Sequence, residues 1–72
     1  YHKGVYSSAI NLFKEAVKRE PDNADYNYHL GLAYARNGQG TLAKQQLDRL
    51  LKLKPDYSNT EKLRQALAEM KS

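Results

Sequence analysis

The sequence predicts an all-α fold of four helices arranged as antiparallel helix-turn-helix repeats in a short alpha-alpha superhelix. Three observations carry that expectation. Apolar residues recur at intervals of three and four along four successive stretches, the signature of helices with one buried face. The first three stretches end at a proline or at a glycine-bearing turn. Finally, a shift of 34 positions carries Gly4 onto Gly38, Ala9 onto Ala43, Phe13 onto Leu47, Ala16 onto Leu50, Val17 onto Leu51, Pro21 onto Pro55 and Asp22 onto Asp56. Small residues meet small ones, large apolar residues mostly meet large ones, and a period of this length marks stacked supersecondary units.

The first helix is expected from about Tyr6 to Glu20, with Tyr6, Ile10, Phe13, Ala16 and Val17 on its apolar side and Ser7 and Ser8 as capping groups near its start. Pro21 cannot continue it, and Asn23 can accept a hydrogen bond from the free amides of the next helix. That second helix spans about Ala24 to Arg36, with Tyr26, Leu30, Ala33, Tyr34 and Asn37 along one side. Gly31 inside it costs about 1 kcal/mol of helix propensity, which implies a close packing neighbour. Asn37, Gly38, Gln39 and Gly40 form a connection short enough to make an αα-hairpin. The third helix runs from about Gly40 to Lys54 on Leu42, Ala43, Leu47, Leu50, Leu51 and Leu53, with Ala43 at the closest approach of the hairpin axes. Pro55 and Asp56 close it. Ser58 followed by Glu61 reads as a capping box that starts a fourth helix carrying Leu63, Ala66, Leu67 and Met70.

A chain of 72 residues buries about 60% of its unfolded surface, enough for one modest core and one domain over 1–72. Its 40% hydrophobic and 28% charged residues are those of a folding domain rather than a charged tail. Cysteine is absent, so neither a disulfide framework nor a thiolate metal site is expected. The only histidines, His2 and His29, match no metal-ligand spacing, and no serine sits in a glycine-flanked nucleophile motif. Gly38 and Gly40 lack the strand and the lysine of a phosphate-binding loop. No catalytic residue, cofactor or metal is therefore expected. No apolar run approaches the roughly 18 residues of a membrane span.

The unit from Ala24 to Tyr57 resembles the tetratricopeptide repeat, through Leu30, Gly31 and Tyr34 in one helix and Ala43, Leu47 and Pro55 in or after the next. Asn27 stands where that family usually has tryptophan, and Leu50 where it has a second alanine. The resemblance implies one complete repeat over 24–57, the second helix of a preceding repeat over 1–23 and a C-terminal capping helix over 58–72. It also implies a non-catalytic scaffold whose concave face, formed mainly by the first helix of each unit, binds a protein or peptide segment. The residues it places there are Asp25, Tyr28, His29, Leu32 and Arg36, with Lys62 and Glu69 from the last helix. Tyr28 is expected to be partly exposed, and Leu32 either to line the groove or to pack on Leu63 and Leu67. An acidic-tail clamp is not implied, because Tyr28 and Leu32 stand where it would need lysine and asparagine.

Two alternatives come from other classes. The net charge of +4 and six tyrosines suit RNA binding, but Lys14, Lys18, Arg19, Lys44, Arg49, Lys52, Lys54, Lys62 and Arg64 are interleaved with Glu15, Glu20, Asp48 and Glu61, as on a solvated surface. Self-association into a homodimer would follow if Ile10, Phe13 and Val17 were left bare.

Overall fold

A computed structural model describes residues 3–70, with side chains from 6 to 69. It contains α1 (Lys3–Arg19), α2 (Ala24–Arg36), α3 (Gly40–Leu53) and α4 (Thr60–Met70), and no strand among the described residues. His2 lies outside that range, as does the side chain of Met70.

The turns are written locally. Glu20 and Lys54 each accept a backbone hydrogen bond from the residue three positions on, Asn23 at 3.0 Å and Tyr57 at 3.1 Å, with Pro21–Asp22 and Pro55–Asp56 at the corners. Proline suits the first corner because its φ is preset, and it stops the preceding helix because it has no N–H. Asn23 Oδ1 then accepts from the Tyr26 amide at 3.1 Å, the N-cap expected of it. At the other end of α2, Gly38 adopts φ +80°, while Gln39 N donates to Tyr34 O at 2.9 Å and Gly38 N to Ala35 O at 3.2 Å. This is a Schellman stop, and the left-handed residue in it favours glycine.

Two local expectations are corrected. Helix α1 begins at Lys3, so Ser7 and Ser8 are exposed residues within it rather than caps. Helix α4 begins at Thr60, with Leu63 N donating to Asn59 O at 3.3 Å. Asn59 therefore holds the cap position, Glu61 falls one place short of reaching back, and the Ser58–Glu61 box does not form.

Helix α2 packs against each of the other three helices, α3 packs on α2 and α4, and α1 packs on α2 alone. The core forms two clusters. One joins Ile10 and Val17 of α1 to Leu30, Ala33, Tyr34 and Ala35 of α2 and Ala43 of α3. The other joins Tyr28, Leu47, Leu50 and Leu63 across α2, α3 and α4. Gly31 has the tight neighbours its position implies, since a Cβ there would lie 3.0 Å from Leu63 Cδ2 and 3.2 Å from Gln46 Cβ. Ala43 is fully buried in the hairpin.

Burial also overturns the basis for self-association. Ile10 and Val17 are each only 7% exposed, because α2 covers them, and Phe13 is half-buried. Among the described residues the large apolar side chains left in water are Leu12, 71% exposed, and Leu42, assigned to the apolar side of α3 but exposed at its margin. Single exposed leucines are ordinary on a soluble surface.

Candidate protein-interaction face

Helix α2 is enclosed on almost every side. Of its 13 residues only Asp25, His29 and Arg36 are exposed. Spacings of four and seven place them on one line, with Leu32 half-buried on the same line and packed against the second core cluster. Lys62 is exposed on the neighbouring α4.

Tyr28 does not belong to this exposed line. It is only 6% exposed, a correction to its expected partial exposure, because the chain following α3 folds back over it. The ring of Tyr57 lies 5.9 Å from that of Tyr28 at a tilt of 56°. On the other flank His29 is tilted against Tyr28 at 5.0 Å and stacked on Phe13 of α1 at 5.4 Å and 17°. Four rings from three parts of the chain, His29 of the exposed line among them, thus form a continuous row. Aromatic pairs in these geometries are each worth roughly 0.5–1.5 kcal/mol beyond area burial, so the row stiffens the surface that His29 tops.

Asp25 is held as well. The Tyr57 hydroxyl donates a short hydrogen bond to Asp25 Oδ1, and Asn59 Nδ2 donates to the Tyr57 oxygen at 3.4 Å. Asp25 sits in the first turn of α2, where the positive end of the helix favours a carboxylate. Burial, and next the hydrogen bond to Asp25, raise the Tyr57 pKa above its ordinary 10.0. A phenol pKa raised by folding stabilises the fold below the unfolded pKa of about 10 and loses that contribution as pH rises through the folded value. Tyr57→Phe is therefore expected to cost about 0.5–1 kcal/mol at neutral pH, the low end for an exposed hydrogen bond. The gap between the urea midpoints of variant and parent should close above about pH 10. A gap that persists unchanged to high pH would show that the hydroxyl is not the source.

Sequence reasoning did not single out Tyr57 or Phe13 for this face. The available signal was that Tyr57 occupies, 34 positions on, the place of the cap residue Asn23, where an aromatic cannot cap and must find another use. It also did not anticipate a half-open cleft of about 190 Å³ between the last turns of α2 and α4, lined by Ala35, Arg36, Ala66 and Glu69. Small-molecule sites run from roughly 300 to 1,000 Å³, so this cleft is too small for a cofactor. Among the described residues no three His, Asp or Glu side chains gather as metal ligands, and no helix is long and apolar enough to cross a membrane.

Helices returning at a 34-residue spacing, joined by short turns and leaving one line of side chains open on a buried helix, define an α-helical repeat protein. The sequence profile of the tetratricopeptide repeat matches residues 2–70, and the chain belongs to that family. No curated protein and no solved structure matches it. Repeats of this family generally mediate protein–protein interaction and are typically non-catalytic scaffolds.

Proposed function

We propose that the chain is a protein-interaction scaffold which holds a protein or peptide segment along the line Asp25, His29, Leu32 and Arg36, with Lys62 of α4 beside it. The observation that carries this reading is the enclosure of α2: a helix covered by three neighbours opens on one stripe only, and that stripe is polar, with one half-buried leucine at its centre. Tyr28 contributes from below, fixing His29 rather than touching a partner. The reading includes a division of the chain into a complete unit over 24–57, the second helix of a preceding unit over 1–23 and a capping helix over 58–72. It is supported by the matching Pro-Asp turns and by α1 and α3 both packing on α2.

The test is affinity capture with the parent chain, a His29→Ala/Arg36→Glu variant and a Lys44→Glu control on the exposed side of α3. Arginine and aromatic-ring contacts near the centre of an interface commonly carry 1–2 kcal/mol or more, so the double variant should recover about tenfold less partner. The control should recover it undiminished. Equal recovery by all three chains would sink the proposal, and prey that disappear on nuclease treatment would point to RNA instead.

A further inference from the structure

The chain has five asparagines, and Asn37 is the one followed by glycine; Asn11, Asn23, Asn27 and Asn59 precede Leu12, Ala24, Tyr28 and Thr60. The backbone nitrogen after an asparagine can attack its side-chain amide carbon, and a side chain on that next residue crowds the five-membered ring that forms. Gly38 has none, and even a Cβ built on it would meet nothing within 4 Å. Asn37 lies just past the last helical residue of α2, half-buried, with Gly38 and Gln39 exposed after it. In the closed hairpin the attack is blocked twice. The Gly38 N–H is engaged with Ala35 O at 3.2 Å, and at the Asn37 ψ of 6° the Gly38 nitrogen stands over the Asn37 nitrogen, turned away from the side chain it must reach. Asn37 Nδ2 in turn donates to Gln39 Oε1 at 2.8 Å, which ties the amide to the turn. These restraints are local hydrogen bonds, and Gln39 at the start of α3 makes no side-chain cap, which puts the turn among segments that open without the core.

From this arrangement we infer that Asn37 is a site of spontaneous deamidation, which the folded hairpin holds shut and which reacts when the turn opens. The Gly38 nitrogen gives its proton to solvent base and bonds to Asn37 Cγ; the Cγ–Nδ2 bond breaks, and ammonia leaves a cyclic imide behind. Water then opens the imide at either carbonyl. Breaking the bond from the Gly38 nitrogen to Cγ yields aspartate. Breaking its bond to the main-chain carbonyl yields isoaspartate, in which the chain runs through Cβ and Cγ and has gained one backbone atom. Both products put a carboxylate at the C-terminal end of α2, where the helix dipole disfavours it. Isoaspartate also alters the spacing from α2 to Gly38, so the bonds from Gly38 and Gln39 that end the helix cannot both close. A transient opening thereby becomes a permanent loosening of the hairpin.

The test ages the full chain in warm, mildly alkaline buffer with and without denaturing urea. Conversion of amide to acid is followed by mass spectrometry of tryptic fragments, Asn37 lying in the fragment 37–44. In urea that fragment should convert ahead of those holding the other asparagines. In the folded chain the same conversion should run at least about tenfold slower, since it waits on the open fraction. The aged folded chain should contain isoaspartate at position 37, and its urea midpoint should fall below that of fresh Asn37→Asp, which carries the charge without the extra backbone atom. Equal rates with and without urea would overturn the gating, and conversion in urea at another asparagine first, or none at Asn37, would overturn the site. A midpoint matching that of Asn37→Asp would overturn the loosening. The site and its gating are read on the parent chain alone, so neither depends on the variant folding.

Discussion

Leu63→Ala is expected to lower the stability of the chain by about 3 kcal/mol, the middle of the range for a buried leucine truncated in a core. Leu63 is 0% exposed, lies against Gly31 and joins Tyr28, Leu47 and Leu50 in the second core cluster. The other apolar side chains described on α4, Ala66 and Leu67, are only half-buried, and Ala68 is exposed. No other described apolar side chain of α4 is placed to replace the lost contact, and the cavity would open where three helices meet. Small domains have about 5 kcal/mol to lose, so the variant should release α4 as well as shift the urea midpoint. Limited trypsin digestion should then cut after Lys62 and Arg64 well before it cuts within α2 and α3. A shift below about 1 kcal/mol, with α4 still protected, would show that the helix is not anchored by this residue.

Asn27→Ala is expected to cost about 2 kcal/mol, through loss of a fully buried side chain and of the hydrogen bonds it makes. The amide Nδ2 donates to Pro21 O at 3.0 Å and to Asn23 O at 2.9 Å, so one side chain in α2 holds the turn that delivers α1. Pro21 O and Asn23 O otherwise depend on water or on the helix alone. Tryptophan, usual in the family at this place, should be more damaging here than alanine, because the site is already closed and larger side chains strain a filled core. Thermal melts of parent, Asn27→Ala and Asn27→Trp give the ranking directly; a tryptophan variant as stable as the parent would mean that the amide's two bonds contribute little.

The fold was legible where its causes are local. Proline at 21 and 55, the Asn23 cap, glycine in the left-handed position at 38 and the packing reason for Gly31 each follow from the backbone chemistry of a few residues. Misreadings occurred where distant chain decides. The periodicity of α2 puts Tyr28 on the side of Asp25 and His29, but whether it is open depends on Tyr57 folding back from 29 positions away. Ile10 and Val17 are covered by α2, a contact that the pattern of α1 alone does not specify. Ser58 and Glu61 have the spacing of a capping box, yet α4 is seated by Leu63 against Gly31, and its first turn starts after Asn59. For the candidate site, Asp25, His29 and Arg36 align because helix geometry requires it. The cleft was invisible to pattern because it is defined by what Ala35 and Ala66 leave unfilled across two helices.

The packing of α2 against all three neighbours, with α1 attached to α2 alone, grades the motion of the molecule. Opening α1 breaks a single interface and leaves α3 and α4 seated, whereas no amide in the middle of α2 reaches solvent unless several interfaces part together. Deuterium uptake should therefore be quickest in α1 and slowest around Leu30 to Tyr34, and the proposed interaction face is built on the slowest-exchanging helix, one that is already ordered before anything binds.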